Sequence, residues 1–101
     1  MVVIFQNNKC IKEMSKNKIP TPDDWRRQGQ EKYLKDIILV FRDYYAYRIG
    51  WEHDHCEFCG SKFSLKEGDL KKGYSTEDGY RWICNDCFND FKEEFNWKVK
   101  E

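Results

Sequence analysis

Four cysteines stand in two close pairs, Cys56-Glu57-Phe58-Cys59 and Cys84-Asn85-Asp86-Cys87. Two intervening residues let both sulfurs of a pair reach one ion at ~2.3 Å, while nearby backbone N–H groups donate to the thiolates. Together the pairs offer a sulfur tetrahedron that suits one structural Zn2+ and leaves no open position for water or substrate. Iron in the same tetrahedron stays open as an alternative. Cys10 is left over and reads as a free thiol.

His53-Asp54-His55 runs directly into the first pair. Either histidine could replace a cysteine as ligand, and with Asp54 they could form a small acid–base or second-metal cluster. The plainer reading is favoured: they flank the knuckle and hydrogen-bond to backbone or to Asp54. In an extended segment both histidines fall on one side and Asp54 on the other, which weakens a single three-residue site.

The elements that must position the cysteines follow from their surroundings. Gly60 comes after the second cysteine, where a positive φ is needed and glycine adopts it cheaply. Asp78-Gly79 is a two-residue turn signal that pairs Gly73–Glu77 with Tyr80–Cys84 and puts Tyr80 and Trp82 on the face of Cys84. Asn85 and Asp86 suit a helix N-terminus. From there Cys84, Cys87, Phe88, Phe91 and Phe95 share one helical face, with Asn89, Asp90, Glu93 and Glu94 mostly opposite. Trp97 and Val99 continue the apolar content as a closing strand or tail.

This order of knuckle, hairpin and helix carrying the second pair resembles the treble-clef zinc finger over Trp51 to Trp97. A zinc ribbon is the alternative, and the aromatic stripe after Cys87 argues against it. The runs Trp51 to Cys59, Trp82 to Cys84 and Phe88 to Trp97 also resemble small uncharacterised bacterial zinc-binding proteins, a likeness that carries no activity. HNH endonucleases can carry two such pairs on a similar scaffold, with the catalytic histidine usually between them. Residues 60–83 contain no histidine, so that family's general base has no match here. A thioredoxin-like role uses a single C-x-x-C motif, and two pairs bracketing a hairpin suit a metal better.

Upstream of the metal module the pattern is less regular. Residues 1–20 read as a weakly structured segment, with Val2 to Phe5 a candidate edge strand. Residues 21–50 read as a helix-plus-strand packing layer, and residues 51–101 as the four-cysteine module. Thr21-Pro22-Asp23-Asp24 has the chemistry of a helix start, with Trp25 as the buried anchor and Gly29 near the end. Residues 34–47 fit a helical stripe, but the continuous Ile37-Ile38-Leu39-Val40-Phe41 run favours a buried strand. The expected fold class is therefore α+β: a small treble-clef-like finger packed with an N-terminal helix and strand.

Composition narrows the partner class. The 101 residues are 36% charged and 17% aromatic with a formal net charge of zero, so large apolar anchors outnumber the aliphatic filler between them. Residues 1–50 carry ten basic and six acidic side chains, residues 51–101 eight and twelve. A tetrathiolate zinc centre makes the second half more negative still, which disfavours nucleic-acid phosphates as its partner. Tyr44, Tyr45, Tyr47 and Trp51, near Arg42 and Arg48, form an aromatic cluster. It reads as core packing or a protein-contact patch ahead of a stacking surface for single-stranded nucleic acid.

No run approaches the ~18 apolar residues of a membrane span, and Val2 to Phe5 is too short for a signal-peptide core. Reduced thiols in the cytoplasm are expected. The expected function is a non-catalytic zinc protein acting as a protein-interaction or adaptor module. A nucleic-acid-binding regulator, with Arg26, Arg27, Lys32 and Lys35 on one face, is the first alternative. A metal-dependent hydrolase or HNH-like nuclease using His53 and His55 is the second.

Overall fold

The computed structural model describes residues 20–100. Val2 to Phe5 and Cys10 lie outside the described residues. A short helix α1 (Glu31–Leu34) precedes strand β1 (Ile38–Asp43). The two-residue strands β2 (Asp54–His55) and β3 (Lys62–Phe63) form a separate hairpin. Then come β4 (Lys72–Thr76), β5 (Trp82–Ile83), α2 (Asn85–Phe91) and β6 (Lys98–Lys100). The chain is an α+β protein with a four-stranded sheet in the order β5-β4-β1-β6.

The apolar run of residues 37–41 settles as a strand, and Asp36 explains why. Lys35, already extended at φ −79° and ψ 140°, ends α1, and Asp36 at φ +64° then turns the chain and donates its backbone N–H to Phe95 O at 2.8 Å. The re-aimed chain becomes β1, antiparallel to β4 (Phe41 opposite Tyr74) and parallel to β6 (Leu39 opposite Val99). A strand paired on both sides needs β-branched and aromatic residues more than helix formers. The closing strand expected around Val99 is β6.

The β4–β5 register is the one the Asp78-Gly79 signal predicts, with Tyr74 opposite Ile83 and Ser75 opposite Trp82. The turn itself differs. Gly79 N–H donates to Thr76 O at 2.9 Å, and Asp78 Oδ1 accepts from Thr76 Oγ1 and the Tyr80 N–H. Strand β5 therefore begins at Trp82, Thr76 N–H still donates to Arg81 O at 3.0 Å, and Tyr80 stays on the exposed loop.

The helix expected from Thr21 does not form. Residues 21–29 make successive turns, and Trp25 is 69% exposed rather than buried. The cause lies in Asp24: its carboxylate accepts from the backbone N–H of Arg26 at 2.9 Å, a local bond that competes with helix formation.

The core is largely aromatic. Leu34, Leu39, Phe58, Phe63, Trp82, Ile83, Phe88, Phe91, Phe95 and Trp97 are all buried, with the cage cysteines in the same cluster. Phe58 stacks on Phe91 with ring centroids 4.5 Å apart, and Trp97 Nε1 donates to Leu34 O at 2.6 Å. The residues before the metal module thus share its core. No helix among the described residues is long and apolar enough to cross a membrane.

Candidate metal centre

Cys56 and Cys59 occupy the tight turn joining β2 to β3. Cys56 N–H donates to Ser61 O at 2.8 Å and Gly60 N–H to Cys56 O at 3.0 Å, with Gly60 at φ +80°. The knuckle is fixed to the sheet by Glu57 N–H donating to Trp82 O at 2.9 Å. Cys84 is the N-cap of α2, and Cys87 lies in its first turn, facing the same way as Phe88 and Phe91. The helical stripe read from the sequence is buried along its length.

These elements bring the four sulfurs within 4.8 Å of one another, all as free thiols. The Cys59 and Cys84 sulfurs are 3.6 Å apart. A tetrahedron with ~2.3 Å metal–sulfur bonds has edges of ~3.8 Å, so the cage has the size for a single ion. Its donor set, four thiolates, suits Zn2+ or Fe on chemical grounds.

The sulfurs also sit in a shell of donors. Cys56 Sγ accepts from the N–H groups of Phe58 (3.4 Å) and Cys84 (3.3 Å), and Cys84 Sγ from the Cys87 N–H (3.5 Å). Ser61 Oγ lies 3.0 Å from Cys59 Sγ, and Arg26 Nη1 donates to Cys87 Sγ at 3.5 Å. Within the cluster, hydrogen bonds from the Cys84 and Cys87 thiols hold Cys56 well below the ordinary thiol range. The bond to Cys56 pushes Cys84 up to about 12, and bonds to Cys56 and Cys84 push Cys87 upward too.

Arg26 and Ser61 were not legible as parts of this shell. Arg26 is 61 positions from Cys87 in the chain, and nothing local marks the contact. The basic face that the nucleic-acid alternative requires does not assemble from Arg26 and Arg27: Arg26 pairs with Asp24 and Asp90, and Arg27 with Glu94. The Arg26 guanidinium lowers the Asp24 carboxyl to about 2, and Arg27 lowers that of Glu94.

His53 and His55 stand outside the sulfur cluster, both exposed, their rings edge-to-face with centroids 4.9 Å apart. Asp54 turns the other way, as strand alternation predicts. Its Oδ2 accepts from Tyr44 Oη (2.9 Å) and Trp51 Nε1 (2.8 Å) rather than from either histidine. Of the aromatic cluster only Tyr44 is core. Tyr47, Trp51 and Tyr80 pack ring against ring on the surface, with Arg48 over Tyr47 and Trp51.

No family model, curated protein or solved structure matches this chain.

Proposed function

We propose that the chain is a non-catalytic zinc protein in which Cys56, Cys59, Cys84 and Cys87 ligate one structural Zn2+ within a treble-clef-like finger. The observation that carries this reading is the four-sulfur cage itself, drawn from a knuckle and a helix N-terminus and lined with N–H donors. Four protein thiolates fill a tetrahedral ion, so the metal's task is cross-linking, and its binding free energy is folding free energy. The proposal sets the protein in the cytoplasm, a compartment that keeps thiols reduced and available to a metal.

The partner class that fits best is protein. Trp25, Ile49 and Leu65 are well exposed, and Tyr47, Trp51 and Tyr80 form a surface aromatic group. Aromatic residues of this kind are enriched at protein contacts. An adaptor or interaction module is the resulting assignment, with nucleic-acid binding second.

Elemental analysis of protein purified without added metal tests the core of the proposal. One zinc per chain is expected, lost in Cys56→Ser or Cys87→Ser, and chelation should erase the near-UV aromatic signals of residues 51–97. A chelator that leaves those signals unchanged would sink the cross-linking role. Fluorescence anisotropy with single-stranded DNA and RNA at low salt addresses the second reading. No binding is expected; tight binding that weakens steeply with salt would favour it instead.

A further inference from the structure

The segment before α1 lies against the knuckle and α2 without helical structure of its own. Arg27 Nη1 and Nη2 donate to the two carboxylate oxygens of Glu94 at 2.7 and 2.9 Å. The buried Gln30 donates through Nε2 to Glu57 O at 2.9 Å. Immediately before these anchors Arg26 reaches the sulfur cage. Among the described residues, no other charged side chain donates to a cage sulfur.

The geometry of Arg26 is over-determined. Nε and Nη2 meet the two oxygens of Asp24 at 2.9 and 2.8 Å in a two-pronged ion pair. The guanidinium lies over the Phe91 ring, 4.8 Å from its centroid. That leaves Nη1, which donates to Asp90 Oδ2 at 2.9 Å and to Cys87 Sγ at 3.5 Å. The side chain is only 14% exposed, so water does little to screen the contact. A tetrathiolate Zn2+ centre carries two net negative charges and here has two aspartates close by. Arg26 is the cation set among them, and without it three anionic groups would share a half-buried corner.

We infer that Arg26 is a positioning residue of the metal centre: its guanidinium, aimed by Asp24, holds Cys87 as a ligand and slows loss of the metal. The inference rests on reading the four cysteines as ligands. A fixed cation draws electron density from the sulfur lone pairs and offsets the charge of the centre. Cys87 is therefore harder to protonate and harder to displace. Partners that orient a ligand in this way typically change metal affinity by ~10–100-fold.

Three full-length variants test it: Arg26→Met, which keeps the stem over Phe91; Arg26→Lys, which keeps the charge but loses the fork; and Arg27→Met, which frees the same segment from Glu94 without touching sulfur. Two readouts are used: zinc release to a chromophoric chelator, and the sulfur-to-metal charge-transfer band of the cobalt-substituted protein. Arg26→Met should release zinc ~10–100-fold faster and shift the band to longer wavelength. Arg26→Lys should fall between it and wild type, and Arg27→Met should match wild type. An unshifted band with wild-type release in metal-replete Arg26→Met overturns the inference alone. So does an Arg27→Met variant as leaky as Arg26→Met, since loosening of the segment would then explain both. If Arg26→Met does not fold, an unshifted band in Arg26→Lys overturns it equally. Wild-type protein that takes up neither zinc nor cobalt overturns the ligand assignment, and the inference with it.

Discussion

The Tyr74 ring of β4 lies flat on the Phe88 ring of α2, centroids 3.7 Å apart and planes within 6°. Phe88 directly follows Cys87, and its other neighbour is Trp97, at 5.7 Å. One side chain therefore links the sheet, the cysteine-bearing helix and the segment leading to β6. Phe88→Ala should cost ~3–5 kcal/mol, the range for removing a buried aromatic. Denaturant titration of the metal-loaded protein measures this, and the metal content before denaturation should stay at one per chain. A loss below ~1 kcal/mol would mean that the stack is not what joins helix to sheet.

Gly73 sits between the Phe63 ring and the Ile83 backbone, which leave no room. A Cβ at this position would come within 2.6 Å of Phe63 Cε2 and 3.0 Å of Ile83 O. The Phe63 ring is fully buried against Tyr44 and Trp82 and cannot swing away. Gly73→Ala should therefore destabilise by ~1–3 kcal/mol through overpacking. A variant with an unchanged thermal midpoint would show that Phe63 gives way after all.

What the sequence made legible was local. The cysteine spacing, the helical stripe from Cys84 to Phe95 and the β4–β5 register each follow from a short window of residues. Residues 21–29 misled because Asp24 has two uses. It can favour a helix N-terminus, but here it bonds the Arg26 backbone and guanidinium instead. Trp25 then points outward, since no helical face exists to bury it. The reach of Arg26 to Cys87 and the turning of Asp54 toward Tyr44 and Trp51 depend on tertiary placement, for which periodicity carries no signal.

Metal capture should expel protons. In the metal-free cluster Cys84 is pushed up to about 12 and Cys87 is also raised, so both are thiols at neutral pH. Both must be thiolates in the loaded centre. At least two protons per ion should therefore be released at pH 7, and apparent affinity should climb as pH rises. Calorimetric titration in buffers of different ionisation enthalpy counts them. Fewer than one proton per ion would contradict the thiol assignment.

Glu57, inside the knuckle, is a charge held at a disadvantage. Burial raises its carboxyl above the ordinary 4.5, against the pull of Arg81 and a hydrogen bond from Tyr33. A carboxyl raised by folding makes the folded state the better proton binder. Stability is therefore lost as pH rises from about 4.5 through the folded value. Glu57→Gln should raise the thermal midpoint at pH 7, with the gain shrinking as pH is lowered into that window. A midpoint that falls at pH 7 would mean that the Arg81 ion pair outweighs burial.

The parallel pairing of β1 with β6 joins Ile38 to Lys98 across nearly the whole metal module. On the ribosome, the Ile-Leu-Val-Phe stretch of β1 emerges some 60 residues ahead of its parallel partner. At ~5–20 residues per second it waits for seconds with that edge uncovered. Such a stretch is prone to pair with other chains in the interval. If the cage holds zinc as proposed, an ion caught as Cys87 emerges would lock the knuckle to α2 early and leave the covering of that edge to the last few residues of β6.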